Sequence, residues 1–130
     1  MIGTNDLKQL KTADEVIQGL SQVIHILMSR GVDILVFTLP PLPLASKTST
    51  SWRTLTAVNE WLISQQSATV DVVSIHRLFF KRARTPNYAM YERYRRRQRE
   101  ASRRTDLVHW NSKGTDAVHE ALRDPINRTR

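Results

Sequence analysis

The sequence contains no cysteine, which excludes disulfide frameworks, thiolate zinc sites, thiol redox chemistry and a cysteine nucleophile. It also lacks an apolar run of the roughly 18 to 20 residues that a membrane-spanning helix needs, so no membrane partner is expected. Glycine-rich phosphate loops, His-Glu-x-x-His zinc helices, calcium loops and glycosidase-like carboxylate pairs are absent as well. We therefore predict no cofactor and no metal.

What the 130 residues do contain is typical of a single small domain. Apolar residues make up 40% of the chain and charged residues 25%, a balance that allows a buried core and differs from that of disordered chains. A protein without thiols suits a reducing compartment. A cytoplasmic location is the corresponding expectation.

Positive charge is concentrated in residues 77–104, called the basic segment below. The whole chain carries a net charge of +8, and the basic segment alone holds eleven Lys or Arg against two acidic residues, a net of +9. The rest of the chain is therefore close to neutral. A localised cationic block attracts polyanions, because each neutralised phosphate releases condensed counterions. The alternative is that these side chains only solvate an exposed helix.

Helical and strand patterns alternate along the first part of the chain. Thr12 and Glu15 form a capping box before a helix-spaced apolar pattern that ends at Gly31. The apolar run 32–39 predicts a buried strand, which prolines 40, 41 and 43 terminate before a Ser/Thr-rich loop. Residues 52–65 predict a second helix, and residues 70–75 a second strand.

Two more helices are expected in the second half. Residues 87–104 predict a largely exposed helix with arginines on every side, and a last helix begins at Asn111 or Ser112 and ends before Pro125. Alternating helices and strands imply an α/β fold, a parallel sheet between two helical layers, with sites beyond the carboxyl ends of the strands. Met1 and Ile2 look like the end of a further strand, so an N-terminally incomplete domain is expected.

Two short motifs bear on chemistry. Gly3-Thr4-Asn5-Asp6 follows the strand end, where the Asn5 carboxamide could donate to an oxyanion, although such tetrapeptides are commonly plain turns. Asp106 precedes His109 by three residues, a separation that allows a carboxylate to orient an imidazole. The alternative is that Asp106 pairs with a neighbouring arginine and caps the last helix.

Together, these motifs and the element order resemble the SGNH, or GDSL-type, hydrolase family over nearly the whole chain. The resemblance implies that Asn5 is an oxyanion donor, Asp106 an orienting residue and His109 a general base. The family's nucleophilic serine lies in a Gly-Asp-Ser motif on the first strand, and this sequence has none. Ser112 lies too near His109, and serines 46, 49 and 51 lie in a loop without a nucleophile elbow. The chain as it stands is expected to be catalytically silent.

A narrower resemblance is to OSK domains, the SGNH-like domains of insect germ-plasm organisers. It is carried by Met1–Asp6, by Thr38-Leu39-Pro40-Pro41-Leu42-Pro43 and by the arginine-rich approach to Asp106-Leu107-Val108-His109-Trp110-Asn111. The resemblance implies a non-catalytic domain that binds messenger RNA through a basic surface. A non-catalytic domain has no chemical need for Asp106 and His109, yet this sequence retains both, which departs from the implied loss of catalysis.

We therefore predict an RNA-binding module in which the basic segment supplies the interface. Tyr88, Tyr91 and Tyr94 are interleaved with the basic residues and either stack on unpaired bases or pack onto the sheet. The rival prediction is an ester hydrolase whose nucleophile lies upstream of residue 1. The predicted RNA-binding residues are Arg77, Lys81, Arg82, Arg84, Tyr91, Arg93, Tyr94, Arg95, Arg96, Arg97, Arg99, Arg103 and Arg104.

Overall fold

The computed structural model describes residues 6, 9–41, 49–81, 85–94 and 104–128, with the backbone alone at 92–94, 104–108 and 124–128. Asn5 and the predicted strand end at Met1 and Ile2 therefore lie outside the described residues. None of the helices described is both long and apolar enough to cross a bilayer.

The first helix, α1 (Ala13–Met28), begins where the capping box predicts. The Thr12 hydroxyl accepts the Glu15 amide N–H at 3.3 Å, and the Glu15 carboxylate accepts the Thr12 amide N–H at 2.8 Å. The Thr12 amide, together with the Thr12 hydroxyl that donates to the same carboxylate at 2.9 Å, lowers the pKa of the Glu15 carboxyl. Past the helix end, Gly31 adopts a positive φ of 68°, which reverses the chain towards the sheet at little steric cost.

A parallel pair of strands forms the centre of the domain. β1 (Ile34–Phe37) pairs with β2 (Val70–Val73), and α2 (Thr50–Ser64) connects them. Ile34 lies opposite Val70, and Phe37 lies opposite Val73. Both strands are shorter than the apolar runs predicted, because the residues beyond Phe37 and Val73 turn into loops and a 3₁₀ helix. The second predicted helix is confirmed to within two residues at its start and one at its end.

Side chains of the strands alternate between two helical layers. Val36 and Val72 pack towards α1 and α2, whereas Leu35, Phe37 and Val73 pack towards the last helix. The alternation follows from the two-residue period of a strand, which sends successive side chains to opposite faces. The predicted α/β class, with a small parallel sheet between helical layers, is confirmed.

The predicted helix over 87–104 is wrong at the residues described. β2 leads into a 3₁₀ helix (Ile75–Phe79), then β3 (Phe80–Lys81), β4 (Thr85–Pro86) and a second 3₁₀ helix (Tyr88–Met90). β3 and β4 pair antiparallel, and so do β5 (Tyr91–Tyr94) and β6 (Arg104–Trp110). Crowded arginines oppose a helix by like-charge repulsion, and the buried Tyr91 at the start of β5 favours a strand.

The last helix, α3 (Ser112–Arg128), begins where predicted but does not end before Pro125. A proline removes one amide donor, and a helix already anchored by packing can continue for another turn. That packing comes from Val118, which is buried against Ile75, Phe79 and Tyr91, and from Ala117 and Leu122 beside it.

Candidate nucleic-acid interface

The carboxyl ends of β1 and β2 are tied together by Thr38, which is fully buried. Its hydroxyl accepts the His76 amide N–H at 3.0 Å and lies 2.9 Å from His76 Nδ1 and 3.4 Å from the Val73 carbonyl oxygen. A polar side chain inside an otherwise apolar strand end is thus fully satisfied by hydrogen bonds. The contact fixes the His76 ring beside the edge where α/β folds place their sites.

Burial lowers the pKa of the half-buried His76 imidazole, and the adjacent Arg77 guanidinium lowers it further. The ring is therefore neutral near pH 7, with one nitrogen as donor and the other as acceptor. Since Nδ1 faces the Thr38 hydroxyl, Nε2 is the nitrogen that remains for a ligand.

The chain after β1 is held in place from two sides. The Asn59 carboxamide accepts the Leu39 amide N–H at 2.7 Å and donates to the Leu39 carbonyl at 2.8 Å. From the other side, the Tyr91 hydroxyl donates to the Pro41 carbonyl at 2.6 Å. The loop start is therefore a rigid part of the site rather than a flexible linker.

Tyr91 is 1% exposed, which corrects its predicted role as a base-stacking residue. Its ring packs against Phe79 at a centroid distance of 5.4 Å, and burial raises the pKa of its phenol. A ring enclosed in this way cannot reach a nucleotide. Tyr91 instead fits the other interpretation of the sequence, in which the tyrosines pack onto the sheet.

A groove of about 340 Å³ lies between α2 and the first 3₁₀ helix. Its aromatic wall contains Trp52 and Phe80, with ring centroids 5.7 Å apart and planes inclined at 67°. His76 stands edge-on to Phe80, with centroids 6.1 Å apart. The groove is also lined by Leu55, Thr56, Asn59, Glu60, Ile63 and Arg77.

Arg77 and Lys81, at the start of the basic segment, are both exposed. Within the described part of the chain, no carboxylate lies within ion-pair distance of either. Arg93, Tyr94 and Arg104 belong to the β5–β6 pair, where only their backbone is described. The remaining predicted RNA contacts lie outside the described residues: Arg82, Arg84, Arg95, Arg96, Arg97, Arg99 and Arg103.

Asp106 and His109 lie on β6, the strand that precedes the last helix. Thr105 pairs with Arg93, and Trp110 pairs with Tyr91. Four residues of β6, 106–109, therefore lie opposite a single residue of β5, Glu92. This bulge carries both predicted catalytic residues. His109 is exposed, and the position of the Asp106 side chain lies outside what is described. Their pairing stays a prediction.

The sequence pattern missed Trp52, His76 and Phe80 as site residues. The sequence does mark two residues beside them, Thr38 and Asn59. Thr38 is a polar residue within the apolar run 32–39, and Asn59 is a polar residue on the apolar face of α2. A polar residue in either place must find a buried partner. Across the residues described, no group of three or more His, Asp or Glu side chains is placed to hold a metal ion.

Comparisons with known proteins agree with this architecture. The family model of the OSK domain matches residues 1–128. Two solved structures, the C-terminal domain of Drosophila Oskar and the OSK domain of Drosophila Oskar, each superpose with a TM-score of 0.73 at 16% sequence identity. Each match covers 92% of this chain and 56% of the Oskar chain. No curated protein matches.

The chain thus spans little more than half the length of the Oskar structures that it matches. The family model covers nearly every residue, including both segments whose motifs resemble SGNH-type hydrolases. The described elements share the fold of the matched part of both solved structures. This chain belongs to the OSK domain family.

Proposed function

We propose that this OSK domain binds single-stranded messenger RNA through the basic segment, and that it does so without hydrolysing esters. The observation that carries the proposal is the charge distribution, +9 over residues 77–104 in a chain that is otherwise close to neutral. Neutralised phosphates release counterions, which gives such a segment affinity for any RNA backbone. A cytoplasmic, germ-plasm type role is the corresponding biological expectation.

The described beginning of the basic segment supports this proposal. Arg77 and Lys81 are exposed, and in the described structure neither is neutralised by a carboxylate. Arg77 also lines the aromatic groove, so a cation and two aromatic rings are available at one surface. Proteins that bind single-stranded nucleic acid combine these two elements, a cationic path for the backbone and rings for the bases.

The salt dependence of RNA binding tests the proposal. Anisotropy of a labelled single-stranded RNA should give a linear decrease of log affinity with log salt between about 50 and 200 mM, with a slope of about −0.7 per phosphate contacted. The double variant Arg77→Gln and Lys81→Gln should lower the magnitude of the slope by about 1.4. Charge reversal of Arg95, Arg96 and Arg97 should flatten it further.

Arg30→Gln is the matched control, because Arg30 is an exposed arginine in the turn after α1, outside the basic segment. It should bind with the wild-type slope. An affinity for RNA that changes neither with salt concentration nor with any of these substitutions in the basic segment would eliminate the proposal.

A specific observation favours the rival function. Asp106 and His109, the two residues that the hydrolase resemblance assigns to catalysis, occupy one bulge of β6. Bulges often re-aim side chains beside active sites. An ester hydrolase is therefore the second candidate.

A further inference from the structure

We infer that the groove between α2 and the first 3₁₀ helix accepts one unpaired base of the bound RNA, with preference for bases that carry an exocyclic amino group. The inference rests on the proposed RNA binding and adds to it a position and a base class. Its basis is the set of rings and polar groups that line this groove.

Trp52 and Phe80 supply the surface on which a base would stack. Both rings are half-buried, so each is anchored by the core and still open to the groove. The two rings contact each other edge to face and so form one aromatic wall, against which a base would stack from the groove side. Stacking on aromatic side chains is the usual way in which proteins hold unpaired bases.

The volume and rigidity of the groove fit a single nucleotide. At about 340 Å³ it lies near the lower end of the range of small-molecule sites, about 300 to 1,000 Å³. Its floor includes Leu55 and Asn59, which are both buried, and Asn59 is fixed by two hydrogen bonds to Leu39. The groove is therefore formed before any ligand arrives.

The polar lining determines which part of a nucleotide enters. Glu60 is an exposed carboxylate that only accepts hydrogen bonds, so it repels a phosphate and attracts an amino group. Arg77 has the opposite preference and lies at the start of the basic segment. This arrangement places the base inside the groove and its phosphate beside Arg77.

Glu60 also separates the bases. Adenine, cytosine and guanine carry an exocyclic amino group that can donate a hydrogen bond to a carboxylate. Glu accepts such a bond from the N4 amino group of cytosine. Uracil carries a carbonyl oxygen at the corresponding position, which faces a carboxylate unfavourably. His76, neutral near pH 7, offers Nε2 as a second hydrogen-bonding atom.

The experiment compares oligocytidylate with oligouridylate of equal length, two pyrimidine chains with the same backbone charge. The wild-type chain should bind oligocytidylate about 5-fold or more tightly than oligouridylate. Glu60→Gln removes the carboxylate and should abolish most of this preference. Because the substitution also removes a negative charge, it should not weaken the binding of oligouridylate.

Two further variants examine the stacking surface. Trp52→Leu should weaken the binding of both RNAs roughly 5- to 150-fold while the salt slope stays at its wild-type value, because a stacked base releases no counterions. Trp52 also touches the core, so its thermal unfolding must be compared with that of the wild type. Thr56→Phe leaves the core untouched and fills the groove from the exposed face of α2, and it should weaken RNA binding in the same way. Ser64→Phe, at an exposed position of α2 outside the groove lining, is its control.

The outcomes separate this inference from the proposal beneath it. Unchanged affinity in Thr56→Phe and Trp52→Leu, with a normal salt slope, overturns the base site and leaves RNA binding intact. A reduced slope in these variants overturns it as well, because the groove would then hold backbone rather than a base. A wild-type chain that binds neither RNA rejects the proposed function and the base site together.

Discussion

Thr38 and His76 show how individual residues connect the core to the groove. The buried Thr38 hydroxyl accepts the His76 amide N–H and contacts the His76 ring, so the imidazole is held by the residue that follows β1. Because Thr38 has no exposed surface, movement of His76 away from it would take two hydrogen-bond partners from a buried hydroxyl. The position of this ring therefore follows from the folding of the sheet.

The lowered pKa of His76 predicts a pH-dependent contribution to stability. The folded-state pKa of His76 lies below the ordinary value of 6.5. At pH values between these two pKa values, the unfolded chain binds more protons than the folded chain. Stability that is fully present above about pH 6.5 should be lost as the pH falls through the folded-state pKa. His76→Gln should reduce this loss in urea unfolding measured between about pH 7 and pH 5.

His119→Gln, an exposed histidine on α3, is the control for that measurement and should keep the wild-type pH dependence. If His76→Gln instead followed the wild-type curve, burial of this imidazole would not be the cause.

At the scale of elements, the β5–β6 pair is attached to α3 through Asn111. Its amide N–H donates to the Met90 carbonyl at 3.1 Å, and its carboxamide donates to the Ala89 and Tyr91 carbonyls at 2.8 and 3.1 Å. The same carboxamide accepts the Gly114 amide N–H at 3.1 Å and so caps the helix. Residues 89–91, within the basic segment, are thereby fixed to the start of α3.

The sequence could not reveal the antiparallel β5–β6 pair, for a physical reason. Tyr88, Tyr91 and Tyr94 recur every three residues, a spacing that also fits a helix with one packed side. What decides the structure is the contact of Tyr91 with Phe79 and with the Pro41 carbonyl, partners that are distant in sequence. Local periodicity carries no information about such partners.

Two helical glycines give a matched prediction about packing between elements. A Cβ on Gly114 would meet the Met90 carbonyl oxygen and would lie 3.0 Å from the Trp110 Cβ, so Gly114→Ala must push α3 away from the second 3₁₀ helix. We expect a loss of about 1 to 3 kcal/mol in the free energy of unfolding. Gly19 lies on α1 with open space around it, and Gly19→Ala should stabilise the chain by about 0.5 to 1 kcal/mol.

Urea denaturation of both variants measures these effects as opposite shifts of the midpoint at a constant slope. Equal shifts of the two variants in one direction would contradict the close approach of α3 to the second 3₁₀ helix.

At the scale of the whole molecule, the order of elements was predictable because each early element carries its own local signal. The capping box fixed the start of α1, and the short apolar run bounded by Gly31 and Pro40 indicated a strand covered on both faces. The groove was not predictable, since Trp52 and His76 come from different elements and meet only after β1 and β2 pair. The proposed base site thus depends on a juxtaposition that has no counterpart in sequence spacing.

The sequence of the whole chain also predicts that it does not hydrolyse esters. Acyl transfer needs a nucleophile beside the base, and the 130 residues contain no Gly-Asp-Ser or Gly-x-Ser-x-Gly motif to supply one to His109. Ser49 caps α2, where its hydroxyl accepts the Trp52 amide N–H at 3.2 Å. Short-chain nitrophenyl esters should therefore be hydrolysed no faster by the wild-type chain than by His109→Ala. Hydrolysis that His109→Ala abolishes and His119→Ala preserves would instead identify a working base on β6 and establish the hydrolase as the better account.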